Sequence, residues 1–364
     1  MNAILMLEDG SSFEGQSQGV PGERIAEVVL NTAVVGYQEL MTDTTNAGKI
    51  LVMTYPLIGN YGVGSKFYES DRCRVSGLVI KETSRIYSNW QAEGSFDSFL
   101  KKENVVAISG VDTRTLAVTI RDKGQMLGII RTGKSSKADL AKRLKNHKKT
   151  FKADLIRDMS VKKAVEIRTS HLGPAITVLD IGSSNSFINQ LKTLGCRLRI
   201  VPYNTPADEV LAGRPDGVVI LNGPEGDLSL KLVADTVRSL LGKVPILGVA
   251  AGHEVIALAL KCRLKRMSIG HHGVNYPVKT ADSYKGEITT QNHSYVVDDT
   301  SLKGKKGVRV TLRNLNDNTI EEMESVKMRL ISAQYYPSSP GFGEPNALFV
   351  RFLKMVKGVR HAKA

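Results

Sequence analysis

The second half of the chain alternates short apolar runs with helical segments, and this pattern limits its possible folds more than any other feature. The run AITVLDIG (175–182) closes in Asp and Gly and is followed by the helical NSFINQLKTLG (185–195). CRLRIVPYN and GVVILNGP are further apolar runs, and PILGVA (245–250) leads directly into the helical GHEVIALALK (252–261). Strands that alternate with helices predict a parallel sheet covered on both faces. Functional side chains are then expected just beyond the carboxyl ends of the strands.

The first half has a different pattern, which predicts a separate domain. Its runs ILMLED, AEVVLNT and KILVMTYPLIG are interrupted by Gly, Asp and Asn turns and indicate a mostly β structure with a few helices. A Lys-rich helical stretch follows, and Gly173-Pro174 is a turn signal. The 364 residues suit two domains of roughly 100–200 residues each. We therefore predict a first domain at 1–150, a linker at 151–173, a second domain at 174–357 and a basic tail at 358–364.

Composition and charge exclude several classes of protein. No apolar stretch approaches the ~18 residues of a membrane helix, and the start of the chain lacks a signal-peptide pattern, so we expect a cytoplasmic location. Cys73, Cys196 and Cys262 are scattered and odd in number, which argues against a disulfide framework and a zinc site. The formal net charge is +14, but the basic residues are mostly dispersed and lack interleaved aromatics. An acidic docking partner or a solvated face explains this charge better than nucleic acid does.

A tight strand-to-helix turn is predicted at Gly248–Gly252, whose sequence is GVAAG. Two glycines that flank a central residue at such a turn form the nucleophile-elbow pattern. A Ser or Cys at the centre would stand exposed at a helix N-terminus, where the helix dipole lowers the pKa of a thiol and amide hydrogens stabilise an oxyanion. The central residue here is Ala250, which has no nucleophilic atom. Taken alone, small residues at this place more often mean close packing of a helix on a strand.

The chain resembles the small subunit of carbamoyl-phosphate synthase, a member of the class I, triad-type glutamine amidotransferases. GVAAGHE is similar to the Gly-x-Cys-x-Gly-His-Gln signature of that class. The runs that resemble this subunit in particular are PYNTPADEVLAGRPDGVVILNGPEGD, IGHHGVNYPV, TTQNHSYVVD, SAQYYPSSPG, AEVVLNTAVVGYQELMTDTTNAGKILVMTYPLIGNYGV and AISGVDTRTLAVTIRDKGQMLGII. The resemblance implies an α/β protein. A mixed β/α small-subunit domain would precede a glutamine amidotransferase domain with a flavodoxin-like, mostly parallel sheet.

The residues that would hydrolyse glutamine differ from those of the family. In the family a Cys thiolate attacks the glutamine amide, a His moves protons and a Glu holds that His. By position, these roles fall on Ala250, Tyr336 and Ser338. A methyl group cannot attack an amide, and a phenol, with an ordinary pKa of about 10, is a poor base near neutral pH. The resemblance therefore predicts a degenerate triad and no intrinsic glutaminase activity.

The substrate pocket implied by the resemblance has changed as well. Its positions, with the elbow glycines, are Thr45, Gly223, Gly226, Glu254, Gln291, Asn292, Ser294, Tyr295, Gly248 and Gly252. Glu254 replaces a Gln, Ser294 replaces a Gly, and Glu225 is an apparent extra residue in the family's Asn-Gly-Pro-Gly-Asp loop. Added length and charge there are expected to disturb the amide geometry that an oxyanion needs. The surviving histidines of these runs are expected to have structural roles and to bind no metal.

The resemblance implies a large synthetase subunit as the partner, in a heterodimer or a higher heteromer. ATP and Mg are expected on that subunit, with no cofactor in this chain. The leading hypothesis is a degenerate glutaminase-like small subunit that supports or regulates a large subunit using free ammonia. The alternatives are a stand-alone pseudoenzyme that binds or senses a small amine or amino acid, and an active glutamine-hydrolysing subunit with a relocated nucleophile. Pyrimidine and arginine biosynthesis are both compatible with the sequence, and Tyr336 could close the old site or border an open one.

Overall fold

The computed structural model describes residues 1–150, 154–167, 173–280, 286–341 and 343–361. The chain forms two compact units, of which the first comprises Met1–Lys152 with Ser268–Gly273 and the second comprises Ala153–Met267 with Val274–Ala364. Within the described ranges, no helix has both the length and the apolar character needed to cross a membrane. Residues 151–153 and 168–172 of the predicted linker and residues 362–364 of the predicted tail lie outside the described residues.

The first unit is built mainly from strands, as its sequence predicts. The strands are β1 (Asn2–Leu7), β2 (Ser12–Gly19), β3 (Glu23–Asn31), β4 (Lys49–Met53), β5 (Leu57–Ile58), β6 (Gly77–Val79), β7 (Glu82–Thr83), β8 (Val106–Ser109) and β9 (Leu127–Thr132). The helices are α1 (Tyr37–Thr42), α2 (Phe96–Lys102), α3 (Thr113–Lys123) and α4 (Lys137–Thr150). The apolar runs predicted as strands are present as β1, β3 and the pair β4 and β5.

Seven strands of the first unit close into a barrel in the order β1-β2-β8-β6-β4-β3-β9. Successive residues of a strand face opposite sides, so each strand contributes to two apolar clusters. Ile50 and Val52 of β4 belong to one cluster, while Leu51 and Met53 pack in the other with Phe96 of α2. The strand KILVM, apolar after its first residue Lys49, is thus buried on both of its faces.

The second unit contains the alternating strands and helices of the second half of the chain. Its strands are β10 (Val165–Ile167), β11 (Ala175–Asp180), β12 (Arg197–Pro202), β13 (Gly217–Ile220), β14 (Ile246–Val249), β15 (Leu264–Thr280, except Ser268–Gly273, which belong to the first unit), β16 (Gly286–Val297), β17 (Arg309–Asn314), β18 (Ile320–Ser325) and β19 (Leu330–Ala333). Its helices are α5 (Leu155–Met159), α6 (Asn185–Thr193), α7 (Ala207–Ala212), α8 (Leu230–Leu240), α9 (Ala251–Ala259), α10 (Asp299–Leu302) and α11 (Ala347–His361). The predicted linker thus contains α5 and β10, and α11 continues into the predicted tail.

The strands of the second unit form a sheet in the order β10-β12-β11-β13-β14-β19-β18-β17-β15-β16. The pairings among β12, β11, β13, β14 and β19 are parallel, as the alternating pattern predicts. Alternation along the strands again separates two cores. In β13 and the residue after it, Val219 and Leu221 face one apolar cluster and Val218 and Ile220 face the other.

The sheet continues beyond β19 as an antiparallel extension, which the mostly parallel prediction did not include. β19 pairs with β18, β18 with β17 and β17 with β15, all in antiparallel register. The chain returns from β17 to β18 through 315–319 and from β18 to β19 through 326–329, and such short connections permit only antiparallel neighbours. The extension begins at β19. Two of the three predicted triad positions follow the carboxyl end of this strand in sequence.

Candidate functional site

The turn between β14 and α9 has the predicted elbow geometry. Ala250 joins the two elements with φ 52° and ψ −116°, a conformation that L side chains rarely adopt. A Cβ on Gly248 would lie 2.5 Å from the Gly252 carbonyl oxygen, and one on Gly252 would lie 2.0 Å from that of Ile220. Only glycine therefore fits at either flank. The strained backbone of a nucleophile elbow is retained, although its central side chain is a methyl group.

The side chain of Ala250 is buried, which corrects the expectation that the central residue of the elbow stands exposed. Ala250 is 1% exposed and belongs to an apolar cluster with Phe187 and Tyr335. Tyr336 packs against the same cluster as a partly buried neighbour. The turn geometry alone suggested exposure, but the methyl group is buried in an apolar cluster that includes aromatic side chains from α6 and from the segment after β19.

Tyr336 and Ser338, at the predicted base and orienting positions, follow β19 on one short segment. The Tyr336 amide donates to the Thr290 carbonyl oxygen at 2.8 Å, which fixes this segment against β16. The Tyr336 ring meets the Phe187 ring edge-on, with centroids 5.3 Å apart. Ser338 is exposed, and its amide donates to the Tyr336 carbonyl oxygen at 2.8 Å. The predicted base position is therefore occupied by a packed aromatic ring.

Tyr336 and Ser338 also line a cavity of about 740 Å³. Its charged lining residues are Glu287, Glu322, Glu324, Arg309 and Arg351. The Tyr336 ring packs against Phe187, and the residue also borders this cavity, whose lining contains neither Ala250 nor the predicted pocket positions; whether Tyr336 closes the site predicted from the resemblance stays open.

A buried ionic network holds one wall of this cavity. Glu322, whose side chain is 1% exposed, accepts hydrogen bonds from Arg351 Nη1 at 2.9 and 3.0 Å and from Tyr335 Oη at 2.9 Å. Arg351 Nη2 also donates to Glu324 at 3.2 Å. Burial, together with the Glu322 carboxylate, raises the pKa of Tyr335 well above its usual value, so this phenol is neutral. Sequence analysis missed the network because its members lie on three separate elements, β18, α11 and the segment after β19.

The loop after β13 lies directly against its neighbours. A Cβ on Gly223 would lie 2.3 Å from the Ile181 carbonyl oxygen. Gly226 has φ 63°, and a Cβ there would lie 2.8 Å from Tyr295 Oη. Between them, the Glu225 carboxylate accepts a hydrogen bond from the Ser294 amide at 2.9 Å. The structure therefore brings Gly226 and Glu225 together with Ser294 and Tyr295 of β16.

Gln291, Asn292 and Ser294 are almost fully buried on β16, with exposed fractions of 0–2%. Gln291 Oε1 accepts from Asn314 Nδ2 at 3.3 Å and lies 3.2 Å from His293 Nε2. His293 Nδ1 lies 3.0 Å from the Tyr295 carbonyl oxygen. Both ring nitrogens of this histidine thus have polar neighbours in the core. His271, His293 and Glu321 each place one possible ligand atom within 4.8 Å of the others, so the absence of a metal stays a prediction.

His253 and Glu254 occupy the first turn of α9 and are completely buried. His253 Nδ1 lies 3.0 Å from Ser332 Oγ, which fixes the ring against β19. Desolvation lowers the pKa of His253 to about 4, so the imidazole is neutral near pH 7. An acidic side chain thus lies at the start of the elbow helix, at the position where the family has Gln.

Thr45, the remaining pocket position, belongs to the first unit. It is buried in the turn Thr44–Asn46, and its amide donates to Asp43 Oδ1 at 2.9 Å. Other loops of this unit are also joined by hydrogen bonds. Gln38 exchanges two hydrogen bonds of 2.9 Å with the Gly64 backbone, and Tyr61 Oη accepts from the Gly36 amide at 2.6 Å. These residues therefore hold loops of the unit together.

Comparison with known proteins places these features in one family. Residues 5–130 match the model of the carbamoyl-phosphate synthase small chain, CPSase domain, and residues 177–355 match that of class-I glutamine amidotransferases. The chain is 36% identical over 377 residues to a carbamoyl phosphate synthase small chain from Syntrophotalea carbinolica, covering 100% of both chains. It is 38% identical over 373 residues to the small chain from Akkermansia muciniphila, again covering 100% of both.

A plant relative is similar over the same length. The chain is 37% identical over 376 residues to the chloroplastic carbamoyl phosphate synthase small chain of Oryza sativa subsp. japonica, covering 99% of this chain and 83% of that one. These findings confirm the resemblance drawn from the motifs. They also confirm the fold class, an α/β protein with a small-chain domain followed by a class I glutamine amidotransferase domain.

Proposed function

This chain belongs to the carbamoyl phosphate synthase small chain family, and we propose that it is a small subunit that no longer hydrolyses glutamine. The observation that carries the proposal is the set Ala250, Tyr336 and Ser338 at the triad positions, which supplies no thiol, imidazole or carboxylate. The groups of a catalytic triad act as a unit, and loss of the nucleophile alone costs roughly 10⁶ in turnover. We therefore expect no measurable glutamate release.

The described cysteines and His253 give no support to a relocated active site. Burial raises the pKa of Cys73 and of Cys196 to about 12 and also raises that of Cys262. A thiol of this kind carries almost no thiolate at neutral pH, and the thiolate is the nucleophile. The buried His253 ring is directed to Ser332. An active glutamine-hydrolysing subunit is accordingly the weakest of the three hypotheses.

The positive role that we propose is to bind a large subunit, which would make carbamoyl phosphate from free ammonia with its own ATP and Mg²⁺. The first unit offers a surface for such binding, because it carries the strongly exposed apolar side chains Val35, Ile86 and Trp90. Apolar groups of this size on a protein surface are typical of interfaces.

Hydrogen bonds hold the loops that carry these exposed side chains. The Ser88 amide donates to the Asn60 carbonyl oxygen at 3.0 Å, and the neighbouring Tyr61 Oη accepts from the Gly36 amide at 2.6 Å. The two apolar loops, 34–36 and 84–92, are thus both anchored to the segment 59–62. A preorganised surface loses less conformational entropy on binding, which favours a docking role.

The cavity beside Tyr336 favours a second candidate, a stand-alone protein that binds a small amine or amino acid. Its volume of about 740 Å³ lies within the range of small-molecule sites, roughly 300–1,000 Å³. Three glutamates and two arginines line it. Arg351 is already paired with Glu322 and Glu324, and Arg309 with Glu324, so a charged ligand would bind beside an existing ionic network. This candidate predicts a protein that does not bind the large subunit.

Glutamine hydrolysis by the purified chain, alone and mixed with a large subunit, tests the main proposal. The control is the Ala250→Cys/Tyr336→His/Ser338→Glu variant, which restores the three triad groups. No glutamate from the wild-type chain, together with ammonia-supported carbamoyl phosphate synthesis by the complex, supports the proposal. Clear wild-type turnover overturns it in favour of the active subunit.

Sedimentation of the mixture separates the proposal from the second candidate. A small subunit co-sediments with the large subunit, and its dissociation lowers the rate or stability of ammonia-dependent synthesis. A chain that stays apart from the large subunit, yet binds an amino acid in calorimetry, is the stand-alone protein. A complex whose ammonia-dependent synthesis is the same after dissociation would contradict the supportive role.

A further inference from the structure

The carboxylate of Glu225 reaches across to the backbone of β16. Its two oxygens lie 2.9 and 3.0 Å from the Ser294 amide nitrogen, so that one N–H is shared between both acceptors. The two residues are 69 positions apart in the chain. Both differ from the family pattern, because Glu225 is the apparent extra residue of its loop and Ser294 stands in place of a glycine. The structure thus places two independent departures in direct contact.

The loop that carries Glu225 is anchored on both sides. Before it, Asn222 Oδ1 accepts from the Ser184 amide at 2.9 Å, and Asn222 Nδ2 donates to Ser184 Oγ at 2.7 Å. After it, Asp227 Oδ2 accepts from the amides of Leu155 and Ile156 at 2.6 and 3.3 Å. The backbone around Glu225 is therefore held before its side chain binds. Little further entropy is lost when its carboxylate docks on the amide.

Contact between the loop and β16 leaves little space beside this carboxylate. Gly226 lies so close to Tyr295 that a Cβ would be 2.8 Å from the phenol oxygen. Ser294 is 2% exposed, so its amide is almost removed from water. A buried amide must be paired, and a charged acceptor gives the stronger type of hydrogen bond.

We propose that Glu225 is an internal ligand that occupies the Ser294 amide and excludes small carboxylates from it. The carboxylate is tethered at a site anchored on both sides, so it is present at a high effective concentration relative to any free competitor. A free carboxylate therefore binds the Ser294 amide only when the Glu225 side chain is removed or displaced. No covalent step is involved.

The inference rests on the proposed function in one respect: it assumes that the site containing Ser294 does not hydrolyse glutamine. Its test measures whether the Ser294 amide is occupied in the isolated full-length chain, and it needs neither a large subunit nor an activity assay. If this test fails, the proposed function is unaffected. If the chain is instead found to hydrolyse glutamine, the same measurement still decides whether Glu225 occupies the Ser294 amide.

Hydrogen exchange at the Ser294 amide, with chemical rescue by acetate, tests the inference. In Glu225→Ala we expect this amide to exchange about ten- to a hundredfold faster, which corresponds to the loss of one charge-assisted hydrogen bond. Acetate in excess should restore slow exchange in the variant, because it replaces the missing carboxylate. Acetamide, which has the same shape without the charge, should restore much less, and wild type should respond to neither.

Two controls keep the result specific. The Leu155 amide, held by Asp227 of the same loop, should exchange at the wild-type rate in Glu225→Ala. Glu287→Ala removes an exposed carboxylate from the same strand as Ser294 and should change neither amide. If the Leu155 amide also exchanges faster, Glu225→Ala has disturbed the loop, and the neutral Glu225→Gln variant is used in its place. This variant keeps the shape of the side chain, so its exchange rate at Ser294 should lie between those of wild type and Glu225→Ala. The inference is wrong if the Ser294 amide exchanges at the same rate in wild type and in the variant that leaves Leu155 unchanged. It is also wrong if acetate slows Ser294 exchange equally in these two proteins.

Discussion

The ring of Tyr336 lies edge-on against the ring of Phe187, with planes at 76° and centroids 5.3 Å apart. Phe187 is 2% exposed on α6 and also meets Phe349 of α11 at 6.2 Å. Edge-to-face pairs add about 0.5–1.5 kcal/mol beyond the burial of their area. The side chain at the predicted base position therefore contributes to the packing of the second unit.

Tyr336→Ala should lower the free energy of unfolding by about 2–3 kcal/mol, because it removes this ring pair and leaves a cavity beside Phe187. The value is below that of a fully buried aromatic residue, since Tyr336 is only half-buried. Tyr336→Phe is the matched control and should cost much less, because it keeps the ring. Urea unfolding measures both, and equal losses in the two variants would show that the ring pair is not the cause.

The buried His253 should make stability depend on pH. Its pKa is lowered to about 4 in the folded chain from an unfolded value of about 6.5, so the unfolded state binds more protons between these values. The free energy of unfolding should thus fall as the pH drops from about 6.5 to about 4, by up to about 3 kcal/mol from this residue.

His253→Gln should remove that part of the pH dependence, measured as the difference between the unfolding curves of variant and wild type at each pH. The same slope in wild type and His253→Gln would mean that other groups cause the acid sensitivity.

Local patterns predicted the strands and the elbow, but not how distant strands pair. An apolar run such as AITVLDIG predicts a buried strand by itself, because its apolar side chains must be buried wherever the strand lies in the sheet. Closure of the barrel depends on pairs such as Gln16 with Ser109, and nothing in either segment specifies the other. The antiparallel extension also depends on connection lengths between strands whose order the sequence does not state.

The candidate site shows the same division. The glycine spacing predicted the turn at Ala250, because Gly248 and Gly252 are required by contacts within two or three neighbouring elements. The burial of the Ala250 methyl could not be predicted, since Phe187, 63 residues earlier, shares its cluster. The contact of Glu225 with Ser294 likewise joins two positions that look like unrelated departures in the sequence.

The three cysteines should be unreactive in the folded chain. Burial raises the pKa of Cys73 and Cys196 to about 12 and raises that of Cys262, and only thiolates react readily. With a thiol–disulfide reagent at neutral pH, we expect labelling at least about a hundredfold slower than in the urea-unfolded chain, where all three react. A thiol that reacts as fast in the folded chain as in the unfolded one would identify a candidate nucleophile and revive the active-subunit hypothesis.

Trp90 should report directly on binding of the large subunit. It is 88% exposed and is the single tryptophan of the chain, so the tryptophan fluorescence of the free protein comes from this position. If the apolar loops of the first unit form the docking surface, Trp90→Ser should weaken binding by about thirtyfold or more, as for a tryptophan at the centre of an interface. Because the side chain is exposed, the free energy of unfolding should change little. Ile288→Ser, at an exposed apolar position of the second unit, is the control and should bind as wild type does. A complex that forms normally with Trp90→Ser would place the interface elsewhere on the chain.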